Sequence, residues 1–397
     1  MKKLIGLCFL ITLIVSFHLQ AQDSVSLNKD KSVLYTIGYN RVPDGVNIPL
    51  IGFINLAKGN HRGLQLGFAN TTANNFNGLA IGFANTVGNN NQSGQIGFFN
   101  TVGNNSDGLT VGFFNTAGNK GKGIQMGFFN TFGDSFKGIQ TGFFNTLGDA
   151  GSGVQVGFFN TLGNSYKGLQ VGFFNTLGNK VEGVQFGFSN ILGNSTEGLQ
   201  VGFSNIVGNK TSGLQVGFFN RTRNLAGVEI GFLNLVDTVE KGLPIGFLSF
   251  VKKGGYQALE VGASEMFPFN ISYKTGIRQF YTSIIASYNP VNHNHYAIGM
   301  GIGSLIPLNK KIDFNPELVS QTTCTVLWDQ IYSLNLNLKY EFSHHFSLAA
   351  GPTLVWNHLN NGTIFHQSWF SLYQKELDPT NKLLIGMKLA LSYQFGN

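Results

Sequence analysis

Charge is scarce in this chain. Of its 397 residues, 26 are Lys or Arg and 19 are Asp or Glu, 11% together, against about a quarter in ordinary soluble domains. With aromatic residues at 13%, this scarcity excludes a disordered, self-repelling polymer. The formal net charge of +7 comes from scattered cations. No Lys/Arg cluster is present to track phosphates, which speaks against nucleic acid as a partner. Cysteine is almost missing, with only Cys8 and Cys324. No stretch beyond the N-terminus approaches the roughly 18 consecutive apolar residues of a spanning helix. Abundance lies elsewhere, in 53 glycines and 37 phenylalanines, and that density of glycine is itself hostile to helix.

The N-terminus has the grammar of an export signal. Lys2 and Lys3 precede the apolar run Leu4–Phe17, and "LQAQ" offers Ala21 as the residue before a cut, so residues 1–21 are expected to be a signal peptide. Its removal takes Cys8 and leaves Cys324 as a single thiol, so the exported chain has no intramolecular disulfide. Residues 22–51 read as an N-terminal cap segment.

From there a phrase repeats. Residues 153–164 read "GVQVGFFNTLGN" and 168–179 read "GLQVGFFNTLGN"; a Gly-Phe pair recurs every 15 residues from Gly52 to Gly217, then at Gly231 and Gly246 after a one-residue deletion in "NRTRNLAG". A fixed short period decides the architecture before anything else. Leu169, Val171 and Phe173 alternate with Gln170, Gly172 and Phe174, which is strand periodicity, and "LGNSYKG" is turn chemistry. Two all-β architectures accept such a unit: a solenoid with one coil per repeat, or an up-and-down barrel with one strand per repeat. A barrel has unlike ends, so its turns should alternate; "TLGDAGSG", "TLGNSYKG" and "TLGNKVEG" do not. Asparagine recurs as well, at Asn70, Asn85, Asn100, Asn115, Asn130, Asn145, Asn160, Asn175, Asn190, Asn205 and Asn220. Stacked coils would let these amides form a self-satisfying ladder. The expectation is therefore a β-solenoid over 52–254, with Leu, Val and Phe inward and Gln170 outward. One large antiparallel barrel of about 22 strands, the repeats included, is the alternative.

After residue 254 the period disappears. In 383–395 and 332–342 apolar and polar residues alternate over about 11 positions with aromatics near the ends, the pattern of outer-membrane barrel strands. Eight such strands are expected, beginning near 257, 270, 280, 295, 312, 330, 346 and 383. Short links at "GIRQ", "PLNKK" and "SHH" alternate with longer ones at "NPVNHN", "SQTTCTVLWD" and 357–382. Residues 255–397 thus read as an antiparallel barrel whose lumen is filled by side chains.

The GxQxGFxN repeats, followed by "KKGGYQALEVGASE", "YKTGIRQFY" and "FSLAAGPTL", resemble surface-repeat outer-membrane proteins of Gram-negative bacteria, over nearly the whole exported chain. The repeat period is also similar to that of trimeric autotransporter adhesin heads. The first resemblance implies outer-membrane localisation and little about function; the repeat array itself reads as a rod presenting a binding face, a structural or interaction role, with outer-membrane lipid and another envelope protein, a host glycan or matrix as expected partners.

Reactive chemistry is sparse. His293 and His295 share one long loop and His358 and His366 another, a pairing that could hold a transition metal, but no Asp, Glu or Cys joins them at ligand spacing. "GMGIGS" at 299–304 sits in an alternating strand with no helix after it, so small lumen-facing residues explain it better than a nucleotide loop. The threonine row from Thr71 to Thr176 lacks the second threonine that ordered water would need. Asp329 and Glu341 are expected to line the filled lumen. Two rings per repeat, the constant Phe and its successor, either share a wide core or form an exposed stripe for a partner. No catalytic set and no cofactor site is expected; the chain reads as non-enzymatic. A large transport barrel is the alternative function.

Overall fold

A computed structural model describes residues 33–291, 295–324, 329–360 and 368–395; the expected signal peptide, His293 and His366 lie outside these. The described chain falls into two compact units that divide between Gly133 and Asp134.

The first unit is a parallel β-solenoid. Its strands pair with the strand one repeat away in a constant register: Gly63 opposes Gly78 and Leu66 opposes Ile81, while Asn70 opposes Asn85. The coils begin earlier than the repeat phrase suggests. Leu34–Tyr35 pairs with Leu50–Ile51 and Tyr39–Val42 with Ile54–Ala57, so most of the expected cap segment is itself a coil. Parallel pairing excludes the single large antiparallel barrel, and with it the geometry on which the transport alternative rested.

The second unit begins with the same coils and ends in a barrel. Strand Tyr166–Val171 pairs with Lys180–Phe186 and Phe174–Leu177 with Ser189–Leu192, both parallel. The one-residue deletion changes the offset without breaking the ladder, since Gln215 opposes Glu229 and Asn220 opposes Asn234. Within a coil, one strand of six residues and one of four meet at the Gly-Phe corner.

Eight antiparallel strands follow: β1 Tyr256–Ala263, β2 Phe269–Ile277, β3 Phe280–Asn289, β4 His295–Gly303, β5 Ile312–Thr323, β6 Gln330–Glu341, β7 Phe346–His358 and β8 Asn381–Gln394. Each pairs with the next, and β1 with β8 closes the barrel. Two short strands, Ile306–Pro307 and Tyr373–Asp378, add to β5 and β8. All eight expected strand starts fall within a few residues of those observed. The last solenoid coil meets the tip of the β2–β3 hairpin: Ile277 joins Leu225, Val236 and Val251 in one apolar cluster. There Thr275 Oγ1 donates to the Ser249 carbonyl at 2.6 Å and Thr282 Oγ1 to that of Phe247 at 3.1 Å. An open sheet edge invites further strands; these hydroxyls occupy two of its acceptors.

Candidate functional site

Each coil of the solenoid has an interior of two halves. Tyr166 and Leu177 fill one half, and Gln170 and Asn175 the other, all buried. Volumes compensate between neighbours on the apolar side: a Cβ on Gly121 would collide with the Phe132 ring, so the missing side chain makes room for the large one.

The amide half is two columns, one of asparagine and one of glutamine. Asn160 Nδ2 donates to Asn175 Oδ1 at 2.8 Å and to the Val171 carbonyl at 3.0 Å, while its own Oδ1 accepts from Asn145 at 2.9 Å. Such bonds link Asn40 to Asn115 and on to Asn130 in the first unit. In the second they link Asn145 through Asn220 and Asn234 to Ser249. All eleven expected ladder asparagines are buried. The second column was not anticipated. Gln170 Nε2 donates to Gln155 Oε1 at 2.7 Å, and Gln170 Oε1 accepts from Gln185 Nε2 at 2.8 Å. Its amides donate toward the N-terminus, those of asparagine toward the C-terminus, so the two rows of dipoles oppose each other.

The expected orientation of the repeat is therefore corrected. Gln170 points inward and is fully buried, whereas Leu169 and Val171 point outward and Phe173 is 41% exposed. The reason is the corner. Alternation cannot be counted through Gly172-Phe173, because the chain turns there and the inward positions on either side, Gln170 and Asn175, lie an odd number of residues apart. Gly172 is required by close approach: a Cβ would sit 2.4 Å from the Gly157 carbonyl oxygen and 2.5 Å from Asn160 Nδ2. Positive φ occurs instead at Gly168, at 137°. With both rings outside, the wide-core reading falls and the exposed stripe is what the coils present. Phe53 through Phe128 line it in the first unit and Phe143 through Phe247 in the second. Successive rings from Phe143 to Phe247 stack with centroids 4.8–5.0 Å apart.

The glutamine column ends at an acid. Glu229 is fully buried between Gln215 and Pro244, and neither carboxyl oxygen has a partner among the described residues. Burial raises its pKa from 4.5 to about 8, so the neutral acid is the form this site holds near pH 7. Gln95 is the other flaw: its column neighbours Ala80 and Thr110 carry no amide, and its own has no partner among the described residues.

The barrel interior is polar. Lys274 binds Glu260 and Glu317, each at 2.6 Å, and Lys388 binds the same two carboxylates at 2.8 and 2.6 Å. Tyr281 and Ser392 hydroxyls donate to Glu317 and Glu260. Two cations and two anions thus form a neutral, closed quartet across the lumen. The β1–β2 link folds over one end, where Met266 and Phe267 pack against inward-facing Ala297, Ile331, Val355 and Leu384. Between quartet and plug a polar cavity of about 40 Å³ remains, bordered by Ser272, Gln321 and Asn335. Gly299, Gly301 and Gly303 of the glycine-rich stretch face the lumen, opposite β3 and β5. Glu341 accepts from Arg278 at 2.8 Å, and buried Asp329 accepts from the backbone of Asn360.

Of the four loop histidines, His358 bonds Asn381 Oδ1 at 2.9 Å, and two lie outside the described residues. Among the described residues no three His, Cys, Asp or Glu side chains converge as metal ligands. The sequence carries a signal for the glutamine column, the constant Gln of GxQxGFxN, but strand alternation alone reads that Gln as exposed. The lumen quartet had no local signal, because its four members come from four separate strands. No known family description, curated protein or solved structure matches the chain.

Proposed function

We propose that the protein is a non-enzymatic outer-membrane component, in which the eight-stranded barrel is an anchor and the solenoid an extended interaction surface. The observation that carries this is the inverted polarity of the barrel. Outward positions are apolar along whole strands, as with exposed Leu334, Leu336 and Leu338 on β6 and Ile385, Met387, Leu389 and Leu391 on β8. Phe269, Tyr288, Tyr296, Tyr332 and Trp356 ring one end, and Tyr340, Phe346 and Tyr393 the other. An apolar band between aromatic girdles around a polar lumen is the surface a bilayer selects. The signal-like N-terminus and the resemblance to surface-repeat proteins agree with it.

The solenoid joins the barrel beside its short turns, since Tyr256 at the start of β1 opposes Gly276 just before the β2–β3 turn. Short turns of outer-membrane barrels face the periplasm, which supports a periplasmic reading of the second-unit coils and favours an envelope component over host glycan or matrix as partner. Membrane fractionation tests the anchor: the protein should partition with the outer membrane and migrate differently on gels before and after boiling. A soluble protein with no such shift would overturn it. Protease added to intact cells should leave the repeats uncut, and cleavage there would reverse their side.

A further inference from the structure

The solenoid repeats the polarity inversion of the barrel. In the second unit the Phe143–Phe247 column is flanked by outward Val156, Val171 and Phe186 on one side and Phe159 and Phe174 on the other, and beyond these the surface turns polar at Lys167 and Thr176. A contiguous apolar strip of this extent is uncommon on a water-facing protein and marks a contact surface.

Three observations identify what covers it. First, the corner closes its own polar groups: Asn160 Nδ2 takes the Val171 carbonyl at 3.0 Å, and the Gly172 N–H donates to the Phe186 carbonyl at 3.0 Å. Hydrocarbon demands such internal satisfaction and water does not. Second, the strip is continuous with the barrel exterior. Phe247, the last ring of the column, has its carbonyl bound by Thr282. Thr282 is an outward position of β3, two residues from exposed Ile284 in the apolar band. Third, Lys253, Lys310 and Lys311 are exposed around the same barrel end, beside Arg278, where anionic phospholipid headgroups would be met.

We propose that the Phe143–Phe247 corner is seated in the acyl region of the periplasmic leaflet of the membrane that β1–β8 span. The second-unit coils then lie along the membrane. This rests on the reading of the barrel as membrane-spanning, and the test separates the two. In a Cys324→Ser background, single substitutions Phe158→Cys, Lys167→Cys and Leu336→Cys each carry an environment-sensitive fluorophore. The full chain is reconstituted in vesicles of phosphatidylethanolamine and phosphatidylglycerol with brominated or unbrominated acyl chains. Bromination should quench the Phe158 probe to the same extent as the Leu336 probe on the barrel face, and leave Lys167 unaffected. Quenching at Leu336 but not at Phe158 would overturn the inference and leave the anchor intact; quenching at neither would remove both. Oxidative Phe158→Cys dimers without lipid quenching would assign the strip to a second copy instead and also overturn the inference. A second label, Phe203→Cys, guards against a folding defect peculiar to Phe158 and should behave the same way.

Discussion

Asn160 makes three hydrogen bonds within the coil stack and needs no water for any of them. Asn160→Leu keeps the volume but strands the Asn175 oxygen and one Asn145 proton, each at about 1–3 kcal/mol when buried, and leaves the Val171 carbonyl with the Gly157 N–H alone. Asn160→Asp should be worse, since an ionised oxygen would face two acceptors in a dry row. Gln170→Leu should cost a similar amount, because Gln170 is equally buried and bonded on both sides. Gln95→Leu should be neutral or stabilising, since its amide has no partner among the described residues to lose. Far-UV melts of the detergent-solubilised chain rank the four; a costly Gln95→Leu would show that its amide is satisfied after all. Glu229 predicts a pH dependence. Its folded pKa is raised to about 8 from 4.5, so the native state binds the extra proton between those values. Stability is then greatest below pH 4.5 and declines as pH rises toward 8. Glu229→Gln should abolish that decline and supply an amide donor to Gln215; melts of both proteins at pH 5 and at pH 9 should converge at the acidic end and separate at the alkaline one.

At the scale of elements, one coil touches only its neighbours, and stability of such arrays is a sum of local terms. Removing residues 158–172 rejoins Gly157 to Phe173 and restores the phrase, so the shortened chain should fold and melt within a few degrees of the parent. Removing 158–171 leaves one extra residue at the corner and should disrupt the amide columns next to it, seen as faster amide hydrogen exchange in the adjoining coils. The final edge is guarded by side chains, so Thr275→Val with Thr282→Val should expose it and promote association of the detergent-solubilised protein, read by light scattering. Much at this scale was legible in the sequence. Coil length followed from Gly-Phe spacing, the solenoid from turns that do not alternate, and the barrel strands from the alternation in 332–342 and 383–395. Which face of the repeat turned inward was not legible, for two physical reasons. The Gly172-Phe173 corner resets the parity, and the paired amides of Gln170 and Asn175 take inward positions that apolar residues ordinarily fill.

For the molecule as a whole, the barrel is closed by its own contents. A neutral quartet of Lys274, Lys388, Glu260 and Glu317 fills the lumen and Met266 and Phe267 plug one end, so planar bilayers containing the protein should stay electrically silent. Lys274→Met would leave two buried carboxylates sharing one cation. Breaking a buried pair in this way costs about 3–5 kcal/mol, and the temperature at which the folded gel band is lost should fall; an unchanged temperature would mean the lumen admits enough water to solvate the loose charge. The constant coil register has a further consequence at the level of the gene. Each repeat is a whole number of codons, so slippage or unequal exchange between repeats adds or removes complete coils in frame. An incoming coil brings an Asn, a Gln and a Phe for partners already in place on both sides, and nothing in β1–β8 has to adjust. Natural variants of this gene should therefore differ in steps of fifteen residues, with the barrel region constant in length.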